Sequence, residues 1–117
     1  MVTYNKKHED IVKKGIDAIE KVLKGSNVAE KESLLFCLDK YLDPWFGYDL
    51  PRKKEILELV QYVVIDSNSQ GVKEGALQLL TDYSWPPFTI LENNLDKIEP
   101  ILIGEVQYAI NMDNNTK

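Results

Sequence analysis

Histidine and cysteine are almost absent from this chain: His8 and Cys37 stand alone. A lone cysteine excludes an internal disulfide. Cys37 lies within Leu34-Leu35-Phe36-Cys37-Leu38, with no positive neighbour in sequence range to lower its pKa, and so reads as a small buried hydrophobe. His8 sits in a Lys-rich helix start with no Cys, Asp or Glu set around it at zinc spacing. Ser–His–Asp or Cys–His catalysis would have to recruit that one imidazole from an end helix.

Long apolar runs are missing as well. Nothing approaches the ~20 residues that a membrane span needs. The start, Met1-Val2-Thr3-Tyr4-Asn5-Lys6-Lys7, lacks the apolar core of a signal peptide. Both features point to a cytoplasmic protein with no membrane partner. No Gly-rich phosphate loop and no EF-hand spacing occurs. Carboxylate pairs such as Asp39/Asp43 and Glu55/Glu58 are present, but on exposed helix faces such pairs are ordinarily just solvated. No catalytic, cofactor or metal residue is assigned. The chain reads as a non-enzyme, with a carboxylate- or metal-dependent enzyme as the weakest alternative.

The 117 residues are enough for one domain with a modest core, and 44% hydrophobic with 28% charged residues is ordinary for a globular protein. The net charge of −5 is unevenly spread. Residues 1–25 carry six Lys against four acids, whereas residues 74–117 carry two Lys against seven acids. An acidic C-terminal half disfavours direct binding of nucleic acid or anionic membrane, which reward Lys and Arg. It suits a basic protein partner.

The chain's strongest signal is that it repeats itself. Lys31-Glu32-Ser33-Leu34-Leu35-Phe36-Cys37-Leu38-Asp39-Lys40-Tyr41 returns as Lys73-Glu74-Gly75-Ala76-Leu77-Gln78-Leu79-Leu80-Thr81-Asp82-Tyr83, 42 residues on. Pro44 and Phe46 then meet Pro86 and Phe88. After a four-residue insertion, Val60-Gln61-Tyr62-Val63-Val64 is echoed by Val106-Gln107-Tyr108-Ala109-Ile110 at an offset of 46. Self-similarity at this period marks a helical repeat array.

Periodicity supplies the helices. The first is expected over about 5–24, with Ile11, Gly15/Ile16, Ile19 and Leu23 on one face and Lys13, Lys14, Lys21 and Lys24 solvated. The second spans about 28–42, stopped by Asp43-Pro44. The third starts near Asp49 or Leu50, with Pro51 in its first turn, and runs to about Asp66. The β-branched run Val60–Ile65 is assigned to this helix because its apolar period is 3.6. The fourth spans about 70–83. A short helical turn is expected over 88–93, and a last helix from a capping box at Asp96-Lys97-Ile98-Glu99 to about Met112. Residues 113–117 are expected to fray.

The two units, residues 31–66 and 73–112, resemble HEAT or armadillo-type repeats in period, and each has a Pro-bearing turn between apolar helices. The likeness covers about two thirds of the chain. It implies an all-α, right-handed array of helical hairpins, five to six helices in all, with residues 5–24 as the capping helix. A small acidic all-helical chain without catalytic signature is also similar to the immunity proteins of bacterial contact-dependent and polymorphic toxin systems. That resemblance implies a monomer that neutralises a cognate toxin, often a nuclease, by occluding its active site. A small scaffold or adaptor is the alternative.

Two surfaces are candidates for the partner. The first is the turn edge, where Trp45, Phe46, Tyr48, Trp85 and Phe88 would cluster, flanked by Asp43, Asp49 and Asp82. Trp and Tyr bring large buried area at low entropy cost, and acids steer a basic partner. Phe46 and Phe88, at matching places, are expected to fold back into the core instead. The second is the inner face of the B helices, where Glu55, Glu58, Gln61 and Tyr62 would sit beside Glu105, Gln107 and Tyr108. Those acids would mimic the phosphates that a nuclease cleft binds.

Overall fold

Short polar side chains open three of the described α-helices. In the computed structural model, which describes residues 3–112, Asn27 opens α3 (Val28–Leu42) by accepting the Glu30 N–H at 3.1 Å. Ser69 opens α5 (Gln70–Tyr83) through the Val72 N–H at 3.3 Å. Asn5 opens α1 (Lys6–Lys14), accepting the Lys7 N–H at 2.9 Å. The His8 ring then takes the Asn5 N–H on Nδ1 at 3.1 Å, the role Glu or Gln plays in a capping box. With Nδ1 accepting, Nε2 is the protonated nitrogen and donates to Glu30 on α3 at 2.9 Å. The single histidine is therefore a buried structural link between two helices.

The remaining helices are α2 (Ile16–Leu23), α4 (Lys53–Asp66), α6 (Thr89–Glu92) and α7 (Ile103–Ile110). Three 3-10 turns, Pro44–Phe46, Leu95–Lys97 and Pro100–Leu102, complete the regular structure. Among the described residues there is no strand, so the chain is all-α, and Val60–Ile65 is helical. The expected fraying of 113–117 lies outside the described residues.

Three expected boundaries move. The first helix is two, because Gly15 adopts φ 106, a conformation no helix contains. The break turns Val12 into the core in place of Ile11, which is only partly buried. The third helix begins at Lys53, not near Asp49, since Arg52 is left-handed at φ 55 and interrupts the turn around Pro51. The last helix begins at Ile103, not Asp96. Pro100 pushes Glu99 out of the α region to ψ 135, and Asp96 falls inside a 3-10 turn without capping anything.

The helices pack in two interleaved series. α1, α3 and α5 lie in sequence side by side, and α2, α4 and α6 do the same, with α4 and α5 in the most extensive contact. α7 packs on α5 and α6, so the short α6 takes the place beside α4 that the repeat reading gives to the last helix. Gln61 fixes that arrangement: it is buried, and its Oε1 accepts the Leu91 N–H of α6 at 3.3 Å. It is not on an open inner face. The radius of gyration, 13.6 Å, matches the roughly 13.4 Å of a compact domain this long.

Burial repeats with the sequence. Leu34, Leu35, Cys37 and Leu38 of α3 are buried, and so are their counterparts Ala76, Leu77, Leu79 and Leu80 of α5. Even the leading lysines match, with Lys31 at 3% and Lys73 at 6% exposure. Val60 and Val106 are both fully buried. Lys13, Lys14, Lys21 and Lys24 are solvated, as expected.

Leu38→Ala and Leu80→Ala, at equivalent and fully enclosed positions, are each expected to lose about 2–5 kcal/mol of stability in urea titrations. Acid is expected to act through Glu30. Hydrogen bonding to His8 and then Lys7 holds its carboxyl below the ordinary 4.5 in the folded chain. Its stabilisation is therefore present above about pH 4.5 and is lost as pH falls through the depressed folded value. Glu30→Gln should flatten the decline of melting temperature between pH 5 and pH 3.

Candidate partner-binding surfaces

The aromatic turn after α3 is built to present a side chain to solvent. Asp43 accepts the Trp45 N–H at 2.9 Å and fixes the Pro44–Phe46 turn, and Gly47 reverses the chain at φ 70. Trp45 is left 89% exposed. Tyr48 fastens the turn: its ring lies 4.5 Å from that of Tyr41, and Lys40 Nζ sits 5.7 Å from both ring centres. Lys40 is itself tied to Glu9 of α1 at 3.1 Å. The hydrogen bond to Glu9 holds the ammonium above its ordinary pKa. Asp49 is exposed beside this turn.

The second turn is built differently. Phe88 is 1% exposed, the core role expected of it. Its counterpart Phe46 is 52% exposed, against expectation. Phe88 leads directly into α6 and is held inward, whereas Gly47 follows Phe46 and swings the chain away. Trp85 stays half-exposed and lines a groove of about 630 Å³ with Lys53, Lys54, Leu57 and Glu58 of α4. Trp45, Tyr48 and Asp49 do not line that groove.

The acidic residues fall in two places. Glu55, Glu58 and Tyr62 of α4 line a groove of about 270 Å³ against Asp17 and Glu20 of α2. Glu105 and Tyr108 of α7 line another, of about 420 Å³, against Gln78, Thr81 and Asp82 of α5. They do not form one face, because α6 and not α7 lies beside α4. Glu58 joins the α2–α4 groove to the Trp85 groove, so Glu55, Glu58, Tyr62 and Trp85 occupy one continuous surface.

Within that surface the carboxylates are not equal. Glu55 pairs with Arg52, the chain's single arginine, through both guanidinium and carboxylate ends. That hydrogen bonding holds the Glu55 carboxyl low and the guanidinium high. Glu20 pairs with Lys24 at 3.0 Å. Asp17 and Glu58 have no ion pair among the described residues, although Asp17 lies close enough to Arg52 for their charges to interact. Asp17 and Glu20 do not stand out in the sequence because the single helix expected over 5–24 is rich in solvated lysines. Their spacing of three on the face opposite Ile19 is the signal that could have found them.

A fourth groove, about 320 Å³, runs between α3 and α5 and is lined by Phe36, Gly71, Gly75, Glu32 and Asp39. Asp39 also accepts a hydrogen bond from the Tyr83 hydroxyl, which raises the phenol's pKa. Cys37 is enclosed, and burial pushes its thiol up to about 11, far from a reactive thiolate. Among the described residues, no three His, Cys, Asp or Glu gather where they could hold a metal ion, and no helix is long and apolar enough to cross a membrane. No protein-family model, curated protein or solved structure matches this chain.

Trp45→Ala is expected to change stability by less than about 0.5 kcal/mol, since an exposed indole leaves no cavity. Tyr48→Ala removes the ring contact that holds the turn and is expected to lose about 1 kcal/mol. Parallel urea titrations read both.

Proposed function

We propose that this chain is a binding protein that neutralises a cognate toxin in the cytoplasm, occluding the active site of a basic toxin domain of the nuclease class. The observation that supports it is the α2–α4 groove, where Asp17, Glu20, Glu55 and Glu58 converge around the exposed Tyr62, outnumbering Arg52, which lines the groove, and Lys24, which pairs with Glu20. A surface of that sign draws a cationic partner and repels nucleic acid. Trp85 at one end supplies apolar area of the kind that anchors interfaces. Trp45, Tyr48 and Asp49 form a separate edge, and Glu105 with Tyr108 a third contact region for a larger partner.

A small adaptor built from HEAT-like units is the second reading. The matched burial of Lys31–Tyr41 and Lys73–Tyr83 favours it, because a repeated hairpin is a binding scaffold whatever its partner.

The partner is recovered by affinity capture from the native cell and its association followed by stopped flow. Asp17→Lys with Glu58→Lys is expected to slow association at least tenfold at low salt, with the effect shrinking as salt is added. Unchanged kinetics would remove the groove from the interface. Co-expression with the captured toxin domain should restore growth; a captured partner without toxicity would favour the adaptor.

A further inference from the structure

Lys31 and Lys73 occupy the same place in the two units, each in the first turn of a long helix and each withdrawn from water. A buried ammonium is costly unless paired. Lys73 is paired: its Nζ donates to Glu99 Oε1 at 2.9 Å. Among the described residues Lys31 has no carboxylate within ion-pair distance. Its Nζ donates at 3.1 Å to the neutral Oδ1 of Asn68, whose own amide leans on the Ser26 carbonyl at 3.5 Å. Beside Lys31 and Asn68 lies a cavity of about 620 Å³, between the ends of α2 and α4. In the second unit the chain provides the counter-charge. In the first it leaves room for one.

We propose that this cavity binds a small organic monocarboxylate whose head takes the position at Lys31 that Glu99 takes at Lys73. The remaining N–H groups of Lys31 have no other acceptor among the described residues and are free to donate to it. The walls are Leu23, Leu59, Val63 and the ring of Tyr62, which suit a compact apolar body behind the carboxylate. The volume falls in the range of small-molecule sites, about 300–1,000 Å³. Lys24 also lines the cavity but is engaged by Glu20, and Asp66 adds a negative charge, so one carboxylate balances Lys31 and a second is disfavoured. The site adjoins the acidic groove at Leu59 and Tyr62, but the inference does not rest on a protein partner.

The test titrates the isolated full-length chain with 3-phenylpropanoate and follows its backbone amides by NMR. Saturable shifts are expected at Leu59, Val63 and Asn68. 3-Phenylpropanamide, the same body without the charge, and succinate, with two charges, should each bind at least tenfold more weakly. Lys31→Met should abolish the response, and Lys73→Met should leave it intact. The comparison of acid with amide needs no variant, so it decides the matter even if Lys31→Met fails to fold. Absence of saturable shifts up to ~10 mM, in the range where fragments of this size bind, would overturn the proposal. So would equal binding of acid and amide, which would leave Lys31 as a bond to the α4–α5 loop and nothing more.

Discussion

The contact between α4 and α5 is the constraint on which the rest of the arrangement depends. Three residues, Ser67–Ser69, join the two helices, so they must lie antiparallel and side by side. Their enclosed stripes, Val60 and Val64 on one and Val72, Ala76 and Leu80 on the other, contribute the centre of the core. α3 then seats on α5, where a Cβ at Gly75 would come into ordinary van der Waals contact with the Leu35 side chain, and α2 and α6 seat on α4. The outer helices are short, of four to nine residues, and too small to hold helical form on their own. They persist because this central pair gives them a surface to cover.

The central part of this fold was legible in the sequence and the outer part was not. Residues 28–42 and 70–83 carry an unbroken apolar stripe, a capping Asn or Ser in front and a stop behind, and all these signals agree. The first helix failed because Gly15 falls on the apolar stripe, where periodicity reads straight through it. Only its φ reveals the break. The last helix failed because Asp96 and Glu99 satisfy a capping-box spacing that Pro100 makes unusable. The displacement of α7 depended on Gln61 accepting a backbone bond from α6, a tertiary event with no local trace.

The same division runs through the candidate surfaces. Most of the candidate aromatics and acids lie at the surface, with Glu58 half-buried, but they do not group as an ideal array would place them. A short α6 in the place of a long helix separates Glu58 from Glu105 and brings Glu58 to Trp85 instead. The acids on α2 entered the picture only through packing. Charge pairing then ranked them: Arg52 and Lys24 compensate Glu55 and Glu20, leaving Asp17 and Glu58 without an ion pair among the described residues. The two buried lysines were visible as letters in the repeat, yet nothing in their spelling said that one would meet a carboxylate and the other a neutral amide beside a cavity.

Trp45 lies almost wholly outside and Trp85 half outside, and this has an optical consequence. An indole that already faces water changes its surroundings little when the chain unfolds, so Trp45 is a muted reporter of the protein's own denaturation. It is a sensitive reporter of the opposite event. Anything that settles over Trp45 strips solvent from a ring that had been almost wholly surrounded by it, and the emission moves toward the blue without any label being attached.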